Sequence, residues 1–186
     1  MILPHVARFL LKLGGWTAVG GLPKVRKAVY IGAPHTSNWD GFWALVFITA
    51  IGLKVKFFVK ESMFWFPLGS LLRAFGAIPL DRSKPGSSVS QAIAGFNENE
   101  EFYFGLAPEG TRSKTPGWKS GFYRIAEGAG VPVILGFYDY TRKRLGVGPM
   151  MTLTGDREAD LDIIRSFYSA TSGRWPEKTC PIVFTR

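Results

Sequence analysis

Cysteine is nearly absent. Cys180 is the only one in 186 residues, so no disulfide can form within the chain and a disulfide-framed secreted domain is excluded. Histidine is almost as scarce. His5 and His35, with one cysteine, cannot supply a structural zinc site of the Cys/His kind. Cys180 stands just before Pro181, far from any other reactive side chain in sequence, which argues against cysteine catalysis. Long apolar runs are missing too. The longest without charge, 41–53, falls short of the ~20 residues that cross a bilayer. Arg8 and Lys12 interrupt the apolar start with no basic segment ahead of it, a poor fit to a signal peptide. Acidic side chains are few where the chain begins: the first 73 residues hold nine basic and two acidic residues, within a formal net charge of +9. Such a basic first third points to an anionic partner: a membrane surface, a nucleic acid or a phosphorylated substrate.

Aromatic residues, by contrast, are plentiful at 15%, with 15 Phe and 6 Trp. The remaining composition, 46% hydrophobic and 20% charged, is that of a globular chain long enough for one domain with a small appendage. The aromatic excess leaves apolar surface that can face lipid. Residues 2–13 read as an amphipathic helix, with Ile2, Val6, Phe9, Leu10 and Leu13 on one face and His5, Arg8 and Lys12 on the other, stopped by Gly14-Gly15. Two accounts of it stand: a helix packed on the domain, or an interfacial membrane helix whose cations meet anionic lipid. We expect residues 1–15 as this element and 16–186 as the main domain.

The main domain alternates in type. Strands are expected over 27–32, 55–60, 77–80, 102–107 and 131–139, with short late strands over 144–147 and 151–154 around a turn at Gly148-Pro149. Helices are expected over 40–51, 63–75, 87–97, 119–130 and 156–171. Strands separated by helices indicate a single α/β domain, a mostly parallel or mixed sheet flanked by helices. Chemistry in such sheets usually lies where strands give way to loops at their carboxyl ends. Three polar segments occupy such points.

The first, 33–40, reads Ala-Pro-His-Thr-Ser-Asn-Trp-Asp. Ser37 with Asp40 three residues on makes a capping box, which accounts for Asp40 by itself. It leaves His35 unexplained. A histidine at a strand end with an acid five residues later suits general-base work: the carboxylate takes one ring N–H and the other nitrogen is free to take a proton. The second, 79–86, contains Asp81-Arg82-Ser83-Lys84. The third, 107–117, contains Glu109-Gly110-Thr111-Arg112-Ser113-Lys114. A glycine between Glu109 and Thr111 allows close backbone approach, and Arg112 can grip phosphate with its planar fork. Each of the last two segments, taken alone, reads as a solvated polar turn. All three together could gather on one sheet edge.

These blocks resemble the glycerolipid acyltransferases, the family that includes 1-acylglycerol-3-phosphate acyltransferases. His35-x4-Asp40 is similar to its first block and Gly76-Ala77-Ile78-Pro79-Leu80-Asp81-Arg82 to its second. Pro108-Glu109-Gly110-Thr111-Arg112, followed by Trp118-Lys119-Ser120-Gly121-Phe122, resembles the third, and Val131-Pro132-Val133-Ile134 the fourth. The resemblance covers residues 27–140; the tail, with Asp139-Tyr140 and Thr154-Gly155-Asp156, looks like a compact bacterial branch. Leu135 stands where the family often has proline, and the amino-terminal part lacks the long hydrophobic anchor of many relatives.

The resemblance implies acyl transfer from a thioester, acyl-CoA or acyl-carrier protein, to a hydroxyl of a lysophospholipid, with no metal or bound cofactor. It implies His35 as base, Asp40 as its partner, and Arg82, Glu109, Gly110, Thr111, Arg112 and Lys119 around the substrate. Arg82 and Arg112 would take the acceptor's phosphate, and Glu109 would bond the acceptor or brace Arg112. Backbone N–H groups near Gly110 or at the helix start after Ser37 could steady the oxyanion. No serine or cysteine stands in a nucleophile context, so the acceptor would attack directly. The implied setting is peripheral, at the cytoplasmic face of a membrane, with no nucleic acid. One rival reading is a basic module that binds anionic lipid or nucleic acid without chemistry; the other is an acyltransferase with a different acceptor, such as an ornithine lipid.

Overall fold

A computed structural model describes residues 3–80 and 86–185. Arg82, with the rest of 81–85, lies outside the described residues. In chain order the elements are α1 (Leu3–Leu13), β1 (Thr17–Val19), β2 (Lys27–Ala33), α2 (Asn38–Ile51), β3 (Val55–Lys60), α3 (Leu68–Ala74), β4 (Ala77–Leu80), α4 (Ser87–Glu98), β5 (Phe102–Leu106), α5 (Gly121–Ala129), β6 (Val133–Asp139), β7 (Arg144–Met151) and α6 (Arg157–Tyr168). The seven strands form one sheet in the order β1-β7-β6-β2-β5-β3-β4. Neighbours run parallel except β6 and β7. The α/β architecture expected from the alternating pattern is therefore present, with a mixed sheet.

Three expected elements differ. Instead of a helix over 63–75 there is a 3-10 turn, Glu61–Met63, and then α3 from Leu68. Pro67 sets the start of α3, because a residue before proline is pushed out of the helical region. The late strands are one strand, β7. On β7, Gly148 and Pro149 take up the extra residue of a bulge: Gly136 faces Val147 and Ile134 faces Met150. A proline that has no ladder bond to donate is tolerated at such a point. The three-residue β1, which pairs only Thr17–Val19 with Arg144–Gly146, carries too few residues for a periodic signal.

β2 sits near the middle of the sheet and is covered on both faces, which explains its unbroken apolar run. Val29, Ile31 and Ala33 point into a core that holds Phe96, Phe122, Tyr123 and Ile164. On the other face Ala28 and Tyr30 meet residues at the end of α2. α2 is apolar almost all round because it is covered from several sides: α1 through Ala7 and Leu11, the sheet through Ile48 and Ile51, and a cavity along Gly41, Ala44, Leu45 and Ile48. α1 buries only that narrow Ala7–Leu11 edge. Leu3, Val6, Phe9 and Leu13, most of its apolar face, are exposed. Among the described residues no helix is long and apolar enough to cross a membrane.

Candidate active site

β2 and β5 are adjacent and parallel, so the loops leaving their carboxyl ends lie side by side. The first carries His35 and the second Glu109. Ser37 caps α2: its Oγ accepts the Trp39 N–H at 3.2 Å. Asp40, fully buried, closes the loop from below. Its Oδ2 accepts the backbone N–H groups of Thr36 (2.7 Å) and Ser37 (2.8 Å). The same Oδ2 lies 3.2 Å from His35 Nδ1, and Oδ1 accepts the Tyr140 hydroxyl at 2.6 Å. Capping residue and histidine partner are thus one carboxylate doing both tasks. Burial opposes its ionisation, but the hydrogen bonds from His35, Tyr140, Ser37 and Thr36 outweigh it and hold Asp40 below the ordinary carboxylate range.

His35 keeps a fifth of its side-chain surface exposed and lines the larger cavity. With Nδ1 turned to Asp40, its Nε2 is directed away from the carboxylate. The cavity holds about 800 Å³ and runs between α2 and the sheet. Its inner walls are apolar: Leu45, Ile48, Val55, Phe57, Phe58 and Phe104, over strand positions Gly32, Gly105 and Gly136. Exposed Arg112 and Lys119 stand on its rim with half-buried Thr111. Gly110 turns at φ +66°, and a Cβ there would come within about 3.0 Å of the Lys119 side chain, so the glycine seats that lysine.

Glu109 goes elsewhere. It is 2% exposed, and its Oε1 accepts the backbone N–H of His35 at 3.0 Å. Rather than reaching Arg112 or the large cavity, it braces the His35 loop from behind and lines a second cavity of about 340 Å³ with Trp118, Tyr168 and Cys180. Burial raises its pKa above the usual carboxylate value, against the lowering effect of the bonds from the His35 and Glu109 backbone. Of the donors expected to serve an oxyanion, Gly110 N–H bonds Ala107 O (3.0 Å), and Trp39 N–H, at the helix start after Ser37, bonds Ser37 Oγ (3.2 Å). The structure therefore joins His35, Gly110, Thr111, Arg112 and Lys119 at one cavity, with Asp40 directly behind His35, and sets Glu109 on the far side of the loop.

Tyr140 was missed by sequence reasoning, since a contact across 100 residues leaves no local spacing to detect. The segment that covers the loop was missed as well: Trp175 N–H donates to Thr36 Oγ1 at 3.2 Å, and Arg174 lies over the Trp39 ring at 5.6 Å.

The solved structure of the 1-acyl-sn-glycerophosphate (LPA) acyltransferase PlsC from Thermotoga maritima is similar in fold, with a TM-score of 0.65 and 19% identity, covering 93% of this chain and 79% of that one. No curated protein matches the sequence. A family profile described as Acyltransferase matches residues 19–135, a span that takes in β2, α2, the His35 loop and the Glu109–Arg112 loop. By that match over more than half of its length, the chain belongs to the Acyltransferase family.

Proposed function

We propose that the protein transfers an acyl chain from a thioester, acyl-CoA or acyl-carrier protein, to a hydroxyl of a lysophospholipid such as 1-acylglycerol-3-phosphate. The observation that carries this is the His35–Asp40 pair at the edge of an apolar cavity whose rim holds Arg112 and Lys119. An apolar channel suits an alkyl chain, and a cationic rim suits a phosphate. His35 Nε2 takes the acceptor's hydroxyl proton as its oxygen forms a bond to the thioester carbonyl carbon. The tetrahedral intermediate then expels the thiolate, which recovers the proton from the imidazolium. Asp40 fixes the Nδ1–H tautomer and stabilises the imidazolium. Cys180 faces the second cavity, which supports direct attack without a covalent acyl-enzyme.

The outward apolar face of α1, Leu3, Val6, Phe9 and Leu13, supports peripheral attachment to a membrane, with residues 1–15 as the interfacial element. Incubating the purified protein with mixed lysolipids and acyl-CoA, followed by lipid mass spectrometry and thiol titration, tests the reading. A newly acylated lysophosphatidic acid with stoichiometric thiol release supports it. Acylation of an ornithine lipid alone moves the acceptor, and vesicle binding with no thiol release returns the protein to a non-catalytic lipid-binding module.

A further inference from the structure

Tyr140 lies in the turn between β6 and β7, a hundred residues from Asp40, yet its hydroxyl donates to Asp40 Oδ1 at 2.6 Å. Among the described residues that is the shortest of the carboxylate's four contacts and the one side-chain donor to the oxygen that faces away from His35. The ring is held from two directions. Trp16 packs edge-on against it at 4.9 Å between centroids, and the Tyr140 N–H donates to Ser172 O at 2.9 Å. Trp16 is itself fixed, its backbone N–H bonded to Leu11 O at the end of α1 and its ring tilted on Trp43 of α2 at 5.6 Å. Tyr140 is not among the residues that line the large cavity. It touches Asp40 and not the space a substrate would occupy.

We infer that Tyr140 is a positioning residue for the His35–Asp40 pair, its hydroxyl setting the rotation of the Asp40 carboxylate and drawing charge onto Oδ1. This rests on the reading of that pair as the general-base unit. The two backbone N–H bonds tie down Oδ2 alone and leave the plane of the carboxylate free to turn about it; the Tyr140 bond fixes the second oxygen and therefore the plane. That plane decides whether Oδ2 presents a lone pair to His35 Nδ1. The ionisable groups around Asp40 are His35 and Tyr140 in contact, Glu109 and Tyr138 nearby, with Arg174 acting on Tyr140. Burial, then the bond and charge of Asp40, push the Tyr140 phenol well above its ordinary value. It therefore stays a donor throughout the range in which an enzyme is assayed.

The test is Tyr140→Phe, which removes one oxygen and keeps the ring on Trp16. Loss of a charge-assisted hydrogen bond lowers kcat roughly 10- to 100-fold, while KM for either substrate stays within about twofold because the residue is outside the cavity. The Tyr140 bond is one of those that lower the Asp40 pKa, so removing the donor raises it. A higher pH is then needed to keep Asp40 ionised, and the acid limb of the kcat profile moves up. A residue that served only packing would lower melting temperature without moving that limb. Installing 3-fluorotyrosine at position 140, a more acidic phenol and stronger donor in the same seat, moves the limb the opposite way and decides the matter should the Phe variant fail to fold. An unmoved limb in either folded protein overturns the proposal. If His35→Ala is inactive while Tyr140→Phe behaves as wild type, only this proposal falls; if His35→Ala is active, the general-base reading falls with it.

Discussion

Asp40→Asn and Asp40→Ala separate the two tasks the carboxylate performs. As alanine, the position leaves the buried N–H groups of Thr36 and Ser37 and the Tyr140 hydroxyl without their acceptor. Each orphaned buried donor costs about 1–3 kcal/mol, so about 3–6 kcal/mol is lost after some relaxation. For a chain of this size that corresponds to a melting temperature lower by roughly 6–24 °C. Asparagine differs. Its amide oxygen, placed where Oδ2 lies, still accepts both backbone N–H groups and His35 Nδ1, and its NH2 donates to a Tyr140 hydroxyl that turns to accept. Stability then changes by about 1 kcal/mol or less. The negative charge is gone, however, and with it the stabilisation of the imidazolium; turnover falls roughly 10²- to 10⁴-fold. Differential scanning fluorimetry and thiol release on the same preparations measure both. An Asn variant with undiminished turnover would reduce Asp40 to a capping residue, and equal melting temperatures for Asn and Ala would mean that the loop does not depend on these bonds.

Three other variants probe the remaining parts. A Cβ at Gly41 would meet nothing within 4 Å, and Gly41 lines the cavity near His35, so Gly41→Leu fills open space. It should gain about 1 kcal/mol of helix stability while lowering turnover with long acyl donors more than with short ones; equal loss for all chain lengths would place the chain elsewhere. Phe9→Ser with Leu13→Ser should weaken binding to anionic vesicles in a flotation assay without changing melting temperature, since both side chains are exposed. Undiminished binding would shift attachment away from α1, to a surface such as the exposed Trp65–Phe66 turn, where Phe66 is 86% exposed. Glu109 has its folded pKa raised by burial, so its contribution to stability is complete below the unfolded carboxyl pKa and is lost as pH rises toward the folded value. Glu109→Gln removes that loss and keeps an acceptor for the His35 N–H. The variant's melting temperature relative to wild type should therefore rise as the pH is raised above the ordinary carboxylate range; a difference independent of pH would contradict the burial argument.

Much of this was readable in the chain because the relevant signals are local. The strands at 55–60 and 77–80 appear with the bounds their apolar runs suggested, and Gly130 ends α5 in the left-handed conformation, φ +63°. The capping box at Ser37–Asp40 is present as well. What escaped was set by tertiary partners. β7 runs through Gly148-Pro149 because a bulge absorbs the extra residue, and a Gly-Pro pair taken alone signals a turn. The family resemblance implies Glu109 against the acceptor or Arg112; only the β2–β5 pairing reveals that its side chain reaches the His35 backbone. The Tyr140 contact and the covering of the loop by 172–175 depend on the turn after β6 and on the segment after α6 returning to the same sheet edge.

The most direct measurement is thiol release from acyl-CoA in the presence of lysophosphatidic acid, wild type against His35→Ala, with circular dichroism to show that both are folded. His35 makes its side-chain contact through Nδ1 to Asp40, and the bonds that hold the loop, from Thr36 and Ser37 to Asp40 and from the His35 backbone to Glu109, do not use the imidazole. The variant should fold as the wild type does and lose turnover by at least roughly 10²- to 10⁴-fold, the contribution of a positioned base. Wild-type thiol release from a folded His35→Ala protein would contradict the general-base account.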